Sequence, residues 1–215
     1  MNMERIIRVN DNCVVGASGE VSDFQYLQRL LRELAVEDYC ADDGLTLTPE
    51  KVYAYLTRVV YNRRNKMDPL WNTLIVAGRS RVFSSGASVS PNVDGSSGSS
   101  STSTDLPATY VPFLGCVMMN GTHYTDIHMA TGFGNHLARP LFRESHRPDM
   151  SKAEAEALLT SALKVCFYRD KQSINKFQIA VVTEQGAEIS APFALDVKWD
   201  FKHYKDPTRL APGAW

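Results

Sequence analysis

The sequence predicts an α+β fold in which two antiparallel sheets stack face to face between outer helices. Three observations carry this expectation. Strand and helix patterns come in groups rather than in strict alternation: a hairpin, two helices, three strands interrupted by a loop, further helices and a closing hairpin. Leu70 to Ala77, LWNTLIVA, is too continuously apolar to leave one face in water, so its sheet needs cover on both sides. Turn-forming residues at Asn10-Asp11-Asn12, Asn120-Gly121 and Glu184-Gln185-Gly186 separate short apolar runs and read as hairpin connections.

Arg5 to Val9, RIIRV, and Cys13 to Val15 form the opening hairpin. Gly16-Ala17-Ser18-Gly19 reads as a small-residue turn into a helix with apolar positions at Phe24, Leu27, Leu30, Leu31 and Leu34. Ser22 followed three residues later by Gln25 reads as the capping box of that helix. After a polar turn at Ala41 to Gly44, Thr48 is placed to cap a second helix, with Pro49 at the first helical position, where a missing N–H costs nothing. Val52, Tyr55, Leu56, Val59 and Val60 form its apolar stripe. Arg63, Arg64 and Lys66 end it, offsetting the helix dipole, with a subunit contact as the alternative use of the two arginines.

Within Leu70 to Ala77, Trp71 reads as core. Residues 79–107 are a Ser- and Gly-rich flexible insertion that cannot repay its ordering entropy. Doubling a loop costs only ~0.6 kcal/mol of closure entropy, so such a segment is tolerated where it leaves from a hairpin tip. Tyr110 to Met119 and His123 to Met129 read as strands, with His123 and His128 facing opposite sides. Thr131-Gly132-Phe133-Gly134 is a second small-residue turn, leading into a helix over Asn135 to Glu144 with Pro140 inside it. Ser151 and Glu154 form a capping box for a helix with Ala155, Leu158, Leu159, Ala162, Leu163, Cys166 and Phe167 on its apolar side. Phe177 to Thr183 and Ala187 to Ile189 make the closing hairpin. The tail from Val197 to Trp215 is aromatic and charged and reads as an arm ordered by something outside its own domain.

At 215 residues the chain suits one large domain or two small ones. A net charge of −1, from 23 basic and 24 acidic residues, supplies no electrostatic drive toward nucleic acid or an anionic membrane. No apolar run approaches the roughly 20 residues needed to span a bilayer, and the start resembles neither a signal nor a transit peptide, so a cytosolic or nuclear location is expected. Cys13, Cys40, Cys116 and Cys166 stand singly in or beside apolar runs and read as buried free thiols. His123, His128, His136 and His146 show no metal-ligand spacing, and neither a metal nor a cofactor is expected.

Four strings make the pattern recognisable: RIIRVNDNCVVGASGEVSDFQYLQRLL, NRRNKMDPLWNTLIVAG, ATGFGNHLARPLFRE and FYRDKQSINKFQIAVVTEQGAEI. Together they resemble beta-type subunits of the 20S proteasome, and a non-catalytic member of the beta ring more than the active ones. The resemblance implies the four-layer α-β-β-α sandwich of the N-terminal-nucleophile hydrolases, with the two opening strands of that fold absent from the chain given. It implies a non-catalytic structural role in ATP- and ubiquitin-dependent protein degradation, completing the proteolytic chamber and helping ring–ring assembly. Partners implied are other beta subunits in the same and the opposing ring, alpha-ring subunits, and polypeptide substrates in the chamber.

Active members use an N-terminal threonine whose own amine is the base, with a lysine, aspartates and a serine nearby. On the resemblance, Asp170 and Ser173 match the later aspartate and serine, whereas Phe133 stands where active subunits place a serine. Without a nucleophile, Asp170 and Ser173 read as a helix-end turn. The rival reading is an active threonine endopeptidase whose true N-terminus lies outside this sequence. Residues 1–196 are expected to form a single beta-type domain and 197–215 an arm. Trp199, Phe201, Tyr204 and Trp215, with Arg63 and Arg64, are the expected interface residues.

Overall fold

The computed structural model describes residues 4–42, 46–82, 109–201, 205 and 208. Strands β1 (Ile6–Asn10) and β2 (Cys13–Gly19) pair around a turn closed by the Asn12 N–H, which donates to the Asn10 side-chain oxygen at 2.9 Å. The turn expected at Gly16 to Gly19 is instead the second half of β2. Those four residues pair with Ile75, Leu74, Thr73 and Asn72 of β3 (Asn72–Val82). The chain leaves the sheet at Gly19, whose φ of 99° and closeness to the Trp71 carbonyl exclude a side chain.

Helix α1 (Val21–Ala41) is capped by Glu20, not by Ser22. The Glu20 carboxylate accepts from the N–H groups of Ser22 and Val21 at 3.4 and 3.0 Å, and these bonds hold its pKa below the usual carboxylate value. The longer glutamate folds back over the first turn, and the Ser22 hydroxyl donates to the same carboxylate. Helix α2 (Pro49–Asn65) begins as the sequence predicts, with the Thr48 hydroxyl accepting from the Lys51 N–H at 3.4 Å.

Alternation along the strands presents Cys13, Val15, Leu74, Val76 and Val117 to these helices, which bury Phe24, Leu27, Leu31, Val52, Leu56 and Val60 against them. Complete burial of a side chain such as Leu27, Leu56 or Leu74 is worth about 1.5–3 kcal/mol. The sheet is an antiparallel meander, β1-β2-β3-β4-β5, with β4 at Thr109–Val117 and β5 at His123–Thr125. Pairing of β3 with β4 runs from Leu74↔Val117 to Val82↔Thr109. The Ser- and Gly-rich insertion expected from residue 79 starts later, because the pairing with β4 carries β3 through Arg79–Val82; its residues 83–107 lie outside the described residues. At Asn120-Gly121 the expected turn forms, with Gly121 at φ 86° and its N–H donating to the Met118 carbonyl at 2.9 Å.

On the other face, β6 (Ala180–Thr183) and β7 (Gly186–Ile189) form a hairpin that lies against β1, β2 and β3. Arg79 fastens it. Its Nε donates to the Asn12 side-chain oxygen at 2.9 Å, its Nη2 to the Glu184 carbonyl at 3.0 Å, and its guanidinium sits 4.0 Å from the Tyr110 ring centroid. Cover here is uneven: Val14 and Cys116 are buried, whereas Ile75, Ala77 and Leu114 stay half-buried.

Three expectations fail locally. Trp71 is 62% exposed, because the strand starts at Asn72 and the Trp71 backbone is held outside it, donating to the Asp23 carboxylate and accepting from the Glu20 N–H. Cys40 is exposed in the last turn of α1, while Cys13 and Cys116 are buried. His128 lies beyond β5, so it and His123 do not share a strand.

The chain divides into two compact units, the first running to Ile127 with Ala180–Ile189 added, the second comprising His128–Ile179 and the chain from Ser190. In the second, Ala138 and Phe142 of α3 (Gly134–Ser145) pack on Ala162 of α4 (Lys152–Arg169), with Pro140 inside α3. The predicted capping box of α4 is present: the Ser151 hydroxyl accepts from the Glu154 N–H at 3.3 Å, and the Glu154 carboxylate accepts from the Ser151 N–H at 2.8 Å. Of the predicted stripe on α4 only Ala162 is buried; Leu158, Leu163, Cys166 and Phe167 are half-buried and Leu159 is exposed. The closing hairpin is shorter than expected at its start, since Phe177 makes a single bridge to Phe193 instead of joining β6. No helix among the described residues is long and apolar enough to cross a membrane.

Replacing Arg79 by Met is expected to raise amide exchange across Ala180–Ile189 about tenfold, as for ~1.5 kcal/mol of hydrogen bonding from a charged donor, with α1 and α2 unchanged. Unaltered protection in the hairpin would mean that apolar packing alone holds it. Burial pushes the Cys13 thiol up to about 12, so at pH 8 roughly one molecule in ten thousand carries the thiolate. Iodoacetamide is therefore expected to modify Cys13 only after denaturation, as read by peptide mass spectrometry.

Candidate functional site

Asp170 and Ser173 are brought together by the end of α4. The Asp170 N–H donates to the Cys166 carbonyl at 2.8 Å, closing the helix, and its carboxylate accepts from the Gln172 N–H at 3.0 Å. The Ser173 hydroxyl donates to the Asp170 carbonyl at 2.7 Å, and the Ser173 N–H donates to the same oxygen at 3.2 Å. An aspartate bonded to the N–H two residues on, and a serine turned back onto the backbone, satisfy a helix end by short-range contacts alone. The hydroxyl has the Asp170 and Phe167 carbonyls at 2.7 and 3.5 Å as its acceptors, and no basic side chain among the described residues is its hydrogen-bond partner. As arranged, this pair organises a turn.

Phe133 precedes α3 as its N-cap, contributes no side-chain hydrogen bond there, and is 65% exposed between Gly132 and Gly134. A phenyl ring can neither donate nor accept a proton, so this position supplies no acid–base chemistry. The neighbouring thiol is no better placed for attack. Burial, reinforced by the Asp170 charge, raises the Cys166 pKa, which keeps the sulfur protonated. Among the described residues no three His, Cys, Asp or Glu side chains converge as a metal site.

Beside the turn, aromatic side chains gather. Trp199 meets the rings of Tyr168 and Phe167 edge-on at centroid distances of 5.0 and 5.9 Å, and Phe201 meets Tyr168 at 6.3 Å. The Tyr168 hydroxyl accepts from the Lys198 N–H at 2.7 Å. Upstream, the Asn175 amide clamps Leu195 from both sides, accepting from its N–H at 2.7 Å and donating to its carbonyl at 2.9 Å. The tail thus leaves from a fixed point and lays its first aromatics on the end of α4, while Trp199 and Phe201 stay 52% and 45% exposed. Tyr204 and Trp215 lie outside the described residues.

Arg63 and Arg64 divide their work. Arg63 bonds the Asp68 carboxylate at 2.9 Å and the Asp68 carbonyl at 3.1 Å, and stacks 5.3 Å from the Tyr26 ring. Arg64 is exposed. Sequence reasoning did not find Asn175, Tyr168 or Asp68, whose partners lie 20, 30 and 5 residues away. A lone Asn before a strand carries no signal of a clamp. The Arg63 to Asp68 spacing crosses a helix end, where the i,i+4 rule no longer applies.

A family model described as proteasome subunit matches residues 1–84 and 105–182, leaving out the Ser- and Gly-rich stretch. Over 214 residues the chain is 41% identical to proteasome subunit beta type-4 of Arabidopsis thaliana, covering 100% of this chain and 76% of that protein. It is 37% identical over 204 residues to the beta type-4 subunit of Xenopus laevis, covering 94% of this chain and 73% of the other. It is likewise 37% identical over 204 residues to the probable beta type-7 subunit of Schizosaccharomyces pombe, covering 93% and 68%. With a matching model over most of its length and relatives matched over nearly all of it, the chain belongs to the proteasome subunit family, among its beta-type members.

Proposed function

We propose that this chain is a non-catalytic structural beta subunit of the 20S core particle. It completes the wall of the chamber in which sibling subunits cut polypeptides during ATP- and ubiquitin-dependent degradation, in the cytoplasm and nucleus. The observation that carries the reading is the Asp170–Ser173 turn, where hydroxyl and carboxylate are engaged by the local backbone, with Phe133 in place of a serine nearby in the family pattern.

Its fold is that of the four-layer N-terminal-nucleophile hydrolases, one beta-type domain over residues 1–196, in which further strands join the β6–β7 sheet. Support comes from the cover of the large sheet: on the face turned from α1 and α2, Ile75, Ala77 and Leu114 remain half-buried although Val14 and Cys116 beside them are buried. Its partners are other beta subunits of the same and the opposing ring, and alpha-ring subunits. The arm from Val197 helps tie the two beta rings, through Trp199 and Phe201 and, further on, Tyr204 and Trp215. Exposed aromatics on a clamped base suit such a contact, because rigid presentation lowers the ordering entropy lost on binding.

Replacing Asp170 by Asn together with Ser173 by Ala is expected to leave each peptide-hydrolysing activity of purified particles unchanged per particle. Loss of one activity with particle assembly intact would show that the pair is catalytic. Ending the chain after Asp196 is expected to reduce double-ring particles on native gels, while ending it after Phe201 retains part of that assembly. Full-size particles in normal yield from the shorter chain would remove the arm from the account.

A further inference from the structure

Arg63 and Arg64 end α2 side by side, yet only one is engaged within the chain. Arg63 is tied to Asp68 and stacked on Tyr26. The Arg64 side chain is exposed and has no hydrogen bond or ion pair among the described residues. After it the chain turns back sharply. The Met67 N–H donates to the Arg64 carbonyl and the Asp68 N–H to the Arg63 carbonyl, both at 3.1 Å. Met67 takes a φ of 58°, a conformation uncommon for a residue with a side chain, and is 92% exposed. Arg64, Asn65, Met67 and Pro69 line a shallow concavity of about 450 Å³.

The Arg63–Asp68 clamp thus holds a turn that sets an apolar thioether beside an unpaired guanidinium. The sign of the complement follows: Asp68, the acid in the turn, is taken by Arg63, and Lys66 is a second exposed cation. Arginine and methionine are both enriched in the buried centres of protein interfaces, and a turn already held in shape loses little entropy on docking. We propose that the Arg64–Pro69 turn is a docking surface for a neighbouring proteasome subunit. It takes a segment that offers an Asp or Glu carboxylate to Arg64 and an apolar side chain to Met67. This inference rests on the proposed function, since it requires the chain to sit in the assembled particle.

The test is made in that particle, with a photoreactive phenylalanine analogue in place of Asn65 and the cross-linked peptide read by mass spectrometry. The expected product joins this turn to a peptide of another subunit with a carboxylate within about three residues of the link, the reach of an extended segment laid along the concavity. Arg64→Glu is expected to lower its yield about tenfold. Arg64→Lys retains most of it, and reversing the partner's acid to Lys restores the link to the Arg64→Glu chain. Full-size particles with no adduct to another subunit, or with a yield indifferent to Arg64→Glu, overturn the docking surface and leave the proposed function standing. A chain absent from purified particles instead defeats the proposed function, and the docking surface with it.

Discussion

The apolar layer between the five-stranded sheet and helices α1 and α2 is the constraint on which the first unit depends. Cys13, Val15, Leu74 and Val76 on the strands meet Leu27, Leu31, Leu56 and Val60 on the helices with essentially no surface left to water. A strand slipped by one residue would turn that set to the wrong face, so the layer also fixes the register of β2 against β3. Register in turn places Arg79 on the opposite face, one residue after Gly78, where it reaches the turns at Asn12 and Glu184. A sealed layer therefore positions a polar fastening for the second sheet.

The contrast between the two faces of that sheet bears on function. One face is packed by the chain's own helices, with Ala17 and Phe113 half-buried on it, and the other, met by β6 and β7, buries Val14 and Cys116 while Ile75, Ala77 and Leu114 stay half-buried. In the second unit the apolar stripe of α4 is likewise incompletely buried. Membership of the proteasome subunit family implies assembly with other subunits, and half-buried apolar side chains of this kind have a use there.

Much of this was legible beforehand where the determinants are local. Thr48-Pro49 and the Ser151–Glu154 box act within one turn, so their spacing alone locates the helix starts. The apolar stripes of α1 and α2 were readable from the 3.6-residue period. Misreadings arose where longer-range contact decides. Ser22 has the right spacing for a cap, but Glu20 reaches the same N–H groups. Gly16 to Gly19 has turn composition, but ladder bonds to Asn72 through Ile75 keep it in the strand. Trp71 belongs by composition to the apolar run, yet the Asp23 carboxylate holds its backbone outside the sheet. At the candidate site, the turn reading of Asp170 and Ser173 was accessible because both act over three residues. The Asn175 clamp and the Tyr168 platform depend on partners 20 and 30 residues away, and spacing carries no trace of them.

The claim at the centre of this account is that the chain builds the chamber without cutting in it. Purified particles treated with an electrophile directed at N-terminal threonines, then resolved subunit by subunit by intact mass, test it most directly. The account predicts adducts on sibling subunits and an unshifted mass for this chain. An adduct on this chain's own N-terminal residue would contradict it.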